Sequence, residues 1–88
     1  MIPVYGFVEG DSLGLLILTA PDETIAALAD KIQAAASVRV APRAAVELRH
    51  AGRTLAPDTT VRTARIEPLD RVDVVPVAQA PGTGSEAR

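Results

Sequence analysis

Two apolar runs with strand-like composition open the chain, Ile2 to Val8 and Leu13 to Thr19, joined by Glu9-Gly10-Asp11-Ser12. Both are rich in Val, Ile, Leu and aromatic residues, and Gly10-Asp11 suits a two-residue II′ turn, so the pattern predicts an antiparallel hairpin. With that turn, Val8 faces Leu13, Gly6 faces Leu15, Val4 faces Ile17 and Ile2 faces Thr19. This row is expected to line the core. The opposite face carries Phe7 beside Gly14, Tyr5 beside Leu16 and Pro3 beside Leu18, because side chains alternate across a strand. It is apolar too.

The period then changes. Thr24 is a capping hydroxyl ahead of Ile25, Leu28, Ala29, Ile32 and Ala36, which recur as one helical stripe and predict a helix over 25–36. Asp30, Lys31 and Gln33 are expected on its other face, and its alanines favour helix without adding core volume. Pro42 ends any continuation. Residues 45–50 return to alternation, Val46 and Leu48 against Glu47 and Arg49, and predict a half-buried third strand. Ala51-Gly52-Arg53 reads as a turn into a short strand at Thr54-Leu55. Residues 57–70 hold two prolines and many turn formers, and predict an irregular crossover with one helical turn near Val61 to Ala64. Arg71 to Val77 is the last predicted strand, with Val72 and Val74 inward. From Ala78 the segment A-Q-A-P-G-T-G-S-E-A-R is expected to be a flexible tail, leaving one domain over residues 1–77.

Composition narrows the function. The 88 residues are 48% apolar with a net charge of -2, as in a small globular domain. Cysteine is absent and His50 is the single histidine, so thiolate metal sites, zinc sites and hydrolytic triads lack their residues. Gly10, Gly14 and Gly52 lie in hairpin and turn positions and make no nucleotide signature. The N-terminus has neither the basic flank nor the apolar stretch of a secretory signal, and the longest apolar run is too short to span a membrane. A cytoplasmic, non-membrane protein without catalytic, cofactor-binding or metal-binding residues is expected.

Binding is left to carry the function, and two regions stand out. Tyr5, Phe7, Leu16 and Leu18 form a contiguous apolar block on the outer hairpin face; soluble monomers seldom leave such a block in water, so it predicts a docking patch for a protein. Arg39, Pro42 and Arg43 lie in a basic segment, residues 39–53, of net charge +3. An acidic pI near 5.2 and only two aromatic residues argue against nucleic acid there. The planar forks of Arg39 and Arg43 suit acidic groups or carbonyls on a partner subunit instead.

The order hairpin, helix, strand, short strand, crossover, strand is that of a β-grasp. P-D-E-T-I entering the helix, K-I-Q inside it, A-G-R-T-L after the third strand and the V-D-V-V ending resemble ubiquitin. The resemblance implies an α+β, ubiquitin-like β-grasp fold: a mixed sheet of four to five strands with one main helix on one face. Modifier activity is not expected, since the chain ends G-T-G-S-E-A-R rather than Gly-Gly and holds a single lysine, Lys31.

Within the ubiquitin-like group the chain is similar to the small gamma subunit, system protein B, of bacterial multicomponent toluene and alkene monooxygenases. Pro3-Val4, Phe7, the acidic turn at Glu9 and Asp11, the R-V-A-P-R stretch from Arg39 to Arg43 and Val72 to Val75 carry that likeness. It implies a non-catalytic accessory subunit in an alpha-beta-gamma assembly, docked on a large alpha subunit that holds the diiron centre. The chain's own residues agree: a carboxylate-bridged diiron site needs two Glu-x-x-His motifs, and with His50 as its single histidine the chain cannot supply the pair. A free-standing ubiquitin-like interaction module, such as the small component of type VII secretion systems, is the alternative.

Overall fold

In the computed structural model, which describes residues 1–77, β1 (Ile2–Val8) and β2 (Leu15–Thr19) form an antiparallel hairpin. Ile2 faces Thr19, Val4 faces Ile17 and Gly6 faces Leu15, in the register the alternation requires. The turn differs from expectation. The Asp11 N–H donates to the Val8 carbonyl at 2.9 Å, with Glu9 and Gly10 at the centre and Gly10 at φ +96°, a left-handed value that favours glycine. The Asp11 carboxylate then accepts the Leu13 N–H at 3.2 Å, an Asx turn that bends the chain before it can pair. β2 therefore starts two residues late, and Leu13, expected inside opposite Val8, is 51% exposed.

The helix α1 (Ile25–Ala36) has the predicted bounds. Its first N–H groups are all accounted for, which a helix start needs because no earlier turn supplies acceptors. Ile25 and Ala26 donate to the carbonyls of Thr59 and Pro57, Ala27 donates to the Thr24 hydroxyl at 3.1 Å, and Leu28 donates to the Thr24 carbonyl. The crossover thus serves as part of the helix cap. It also contains the expected helical turn, with the Ala64 N–H donating to the Thr60 carbonyl at 2.9 Å. Val61, Ala64 and Ile66 of this irregular segment are buried and complete the core.

β3 (Val46–His50), β4 (Arg53–Leu55) and β5 (Arg71–Pro76) finish a five-stranded mixed sheet of order β2-β1-β5-β3-β4, in which β1 and β5 run parallel. α1 covers one face. Ile25, Leu28 and Ile32 meet Val4, Ile17, Leu48, Val72 and Val74 there, and these buried side chains form a single cluster. Gln33 belongs to the buried side of the helix, not to the expected polar face, and is 6% exposed. The domain boundary at 77 and the tail from Ala78 lie outside the described residues. No helix among the described residues is long and apolar enough to cross a membrane.

Candidate docking surface

The sheet face away from α1 is divided. On β1 and β2, Tyr5 pairs with Leu16 and Pro3 with Leu18, and Tyr5, Leu16 and Leu18 are 43%, 59% and 55% exposed. On β5 and β3 the same face turns charged. Arg71 and Asp73 join at 3.1 Å, and Arg49 faces Asp73 across the strands. Phe7 stands at the border. Its ring lies over Gly14, where any added Cβ would collide with it, and the Arg71 guanidinium stacks above it at 4.1 Å from the ring centre. Half-buried in this way, Phe7 supports the hairpin, while Tyr5, Leu16 and Leu18 offer the open apolar surface.

The start of the basic segment, at Arg39 and Arg43, meets the hairpin turn. Arg39 spends its guanidinium within the chain: Nε approaches both carboxylate oxygens of Asp11, at 3.1 and 3.0 Å, and Nη2 donates to Oδ2 at 2.8 Å. The Asp11 side chain is only 4% exposed, and Arg39's hydrogen bonds, ahead of its charge, hold the Asp11 carboxyl below its ordinary value. Pro42 is exposed on the connection between α1 and β3. Arg43 is pinned by its backbone. The Gln33 carboxamide accepts its N–H at 2.8 Å and donates to its carbonyl at 3.0 Å. Its guanidinium reaches the turn, where a Cβ added to Gly10 would lie 3.7 Å from Nη2. Among the described residues it meets no carboxylate. The structure therefore brings Arg39 and Arg43 to the turn of the hairpin whose strands carry the apolar patch, and of these two arginines Arg43 is the one left open.

Two features escaped the sequence reading. Gln33 is spaced four from Ala29 and three from Ala36, so its place on the buried stripe was available from periodicity, although its polarity argued the other way. His50, expected simply as a strand-end residue, ends β3 and bonds through Nε2 to the Asp70 carboxylate at 2.9 Å. That carboxylate also accepts the Glu67 N–H, and the backbone bond first, then His50, keeps Asp70 below its usual range. The pair ties the end of β3 to the start of β5. A groove of about 560 Å³ also runs between α1 and β3–β4, where Ala26 and Ala29 are too small to fill the space above Val46 and Leu55.

No curated protein matches the chain in sequence. A chain of a toluene 4-monooxygenase HD complex with the inhibitor 4-bromobenzoate is similar in structure, with a TM-score of 0.79 and 25% identity over 85% of this chain and 96% of that one. Ubiquitin of Caldiarchaeum subterraneum, at TM-score 0.69 and 18% identity, covers 88% of this chain and 94% of that one. The ubiquitin-like domain of an Arabidopsis thaliana protein, at 0.67 and 23%, covers 88% and 78%. These last two share the fold. The family model for toluene-4-monooxygenase system protein B (TmoB) matches residues 1–75, the whole of the β-grasp up to the penultimate residue of β5, and the chain belongs to that family.

Proposed function

We propose that this chain is the non-catalytic gamma subunit of a multicomponent diiron aromatic or alkene monooxygenase, docked on the large alpha subunit of a cytoplasmic alpha-beta-gamma hydroxylase. The observation that carries the reading is the family match over residues 1–75, joined to the likeness with a chain of the toluene 4-monooxygenase HD complex. The oxidation chemistry belongs to the large subunit in this reading. The gamma chain contributes a rigid surface, requires no cofactor of its own and meets neither nucleic acid nor membrane.

The open apolar hairpin face fits this role. Burying Leu16 or Leu18 against a partner contributes roughly 1.5–3 kcal/mol each before the cost of association. Tyr5 adds an aromatic anchor with a polar tip, a residue type enriched where interfaces concentrate their energy. Phe7 shapes this face through its packing on Gly14, and Arg43 provides a charged rim at the turn, next to exposed Pro42, with Arg39 held to Asp11.

The test is copurification of the chain with the alpha and beta subunits expressed from the same gene cluster. A Leu16→Asp/Leu18→Asp double variant should fold, since both side chains are already in water, and should fail to copurify. Undiminished assembly of a folded double variant would remove the hairpin face as the docking surface.

A further inference from the structure

The proposed docking face has an open strand edge beside it, built by the same two leucines. Tyr5 donates its N–H to the Asp70 carbonyl at 2.9 Å, and the Pro3 carbonyl accepts the Leu69 N–H at 2.6 Å. Residues 3 and 5 therefore aim their main-chain groups toward β5, and residues 2, 4 and 6 serve β2 through Thr19, Ile17 and Leu15. It follows that the main-chain groups of Leu16 and Leu18 point out of the sheet. Among the described residues no strand lies beyond them, because β2 ends the sheet order. Lys31 blocks one of these groups by donating from Nζ to the Leu18 carbonyl at 2.8 Å. The Leu16 N–H and carbonyl and the Leu18 N–H remain.

The two edges of the sheet are not alike. β4 is three residues long and presents exposed Arg53 and Thr54, the short, charged kind of edge that discourages pairing. β2 is five residues of Leu-Leu-Ile-Leu-Thr with neither charge nor proline, guarded only by Lys31. An edge of that composition is a template for another strand.

Resting on the gamma-subunit reading above, we infer that an extended segment of the alpha subunit adds to β2 as an antiparallel sixth strand centred on Leu16. One facing residue of that segment exchanges both main-chain hydrogen bonds with Leu16, and Lys31 ends the ladder at Leu18. Its side chains on the outer face are apolar and pack on Leu16, Leu18 and Tyr5.

The test is a semisynthetic chain N-methylated at Leu16, which keeps every side chain and removes the edge donor. Its affinity for the alpha-beta subcomplex is compared with that of the unmodified chain and of the Leu16→Asp/Leu18→Asp variant. The expected result is an unchanged melting temperature with affinity weakened at least about tenfold, from a lost hydrogen bond and the methyl group in its path. Wild-type affinity in the N-methylated chain, with binding lost in the double variant, overturns the strand addition and leaves the docking face standing. Wild-type affinity in both would sink the docking face as well. An N-methylated chain that does not fold overturns the inference too, because Leu16 N–H would then be engaged within the domain.

Discussion

Arg39 grips Asp11 across 28 residues of sequence, with both Nε and Nη2 on the carboxylate at 2.8–3.1 Å. This fork joins the hairpin turn to the segment that follows α1, and so fixes the basic stretch over the end of the candidate docking face. Because Arg39 lowers the Asp11 pKa, the pair's contribution is complete above the ordinary aspartate range and is lost as pH falls through the lowered value. In Arg39→Ala the Asp11 carboxyl should titrate at higher pH, as followed by carboxyl NMR, and Arg39→Lys should restore only part of the shift for want of a planar fork. The same pair discriminates two roles for Arg39 in docking. If its contribution runs through Asp11, Asp11→Asn and Arg39→Ala weaken partner affinity alike; a direct contact would be lost in Arg39→Ala alone.

Gln33 sustains the loop on the other side of that fork. Its carboxamide satisfies both backbone groups of Arg43, so Gln33→Leu would leave an N–H and a carbonyl without partners in a half-buried place. A loss of about 2 kcal/mol in denaturant unfolding is expected from two such bonds. The Arg43 amide should also exchange with solvent much faster in the folded state. Protection equal to wild type would show that another group holds the loop.

Glu23 links β2 to the start of α1. One carboxylate oxygen accepts from Lys31 Nζ at 2.8 Å, the buried Thr19 hydroxyl at 2.7 Å and the Ala20 N–H at 3.0 Å. The Lys31 bond first, then Thr19, lowers its pKa from 4.5 to about 2. Its folded value lies below its unfolded one, so its stabilisation is complete above about 4.5 and disappears as pH drops through about 2. Melting temperatures measured between pH 7 and pH 2 should fall more steeply for the wild type than for Glu23→Gln within that window, and the two curves should approach each other at the acid end. Parallel curves would mean that Glu23 is not held in its charged form.

Strands, helix and hairpin register were legible because each rests on a local period: alternation demanded Val4, Ile17 and Thr19 inward, and the stripe from Ile25 to Ala36 demanded a helix. The turn was not, since Asp11 closes it instead of standing at its centre, and its carboxylate is held by an arginine 28 positions away, a contact that no local pattern encodes. Val61 and Ile66 were hidden for a related reason. Prolines and threonines around them announce a loop, yet that loop caps the helix and closes the core. Of the candidate site, Tyr5, Leu16 and Leu18 were readable from the outward row of the hairpin. That Phe7 and Arg39 are occupied by Gly14, Arg71 and Asp11 depends on tertiary contacts, and only the fold reveals which apolar and basic groups remain on offer.

Gly6 is a point of close approach between the sheet and α1. It sits in the middle of β1 on the core face, where a Cβ would come within 2.8 to 3.0 Å of three carbons of Ile32, itself wholly buried. Its role is close approach, because its backbone is ordinary strand and not left-handed. Gly6→Ala should therefore cost about 1–3 kcal/mol through overpacking. Combining it with Ile32→Val, which removes one of the methyl groups that Cβ would strike, should recover part of the loss. A double-mutant cycle in urea gives the coupling directly: the two changes together should be less harmful than their sum. Strict additivity would show that the cost of Gly6→Ala does not arise at Ile32, and that the close packing of Gly6 beneath Ile32 does not set the distance between α1 and the sheet.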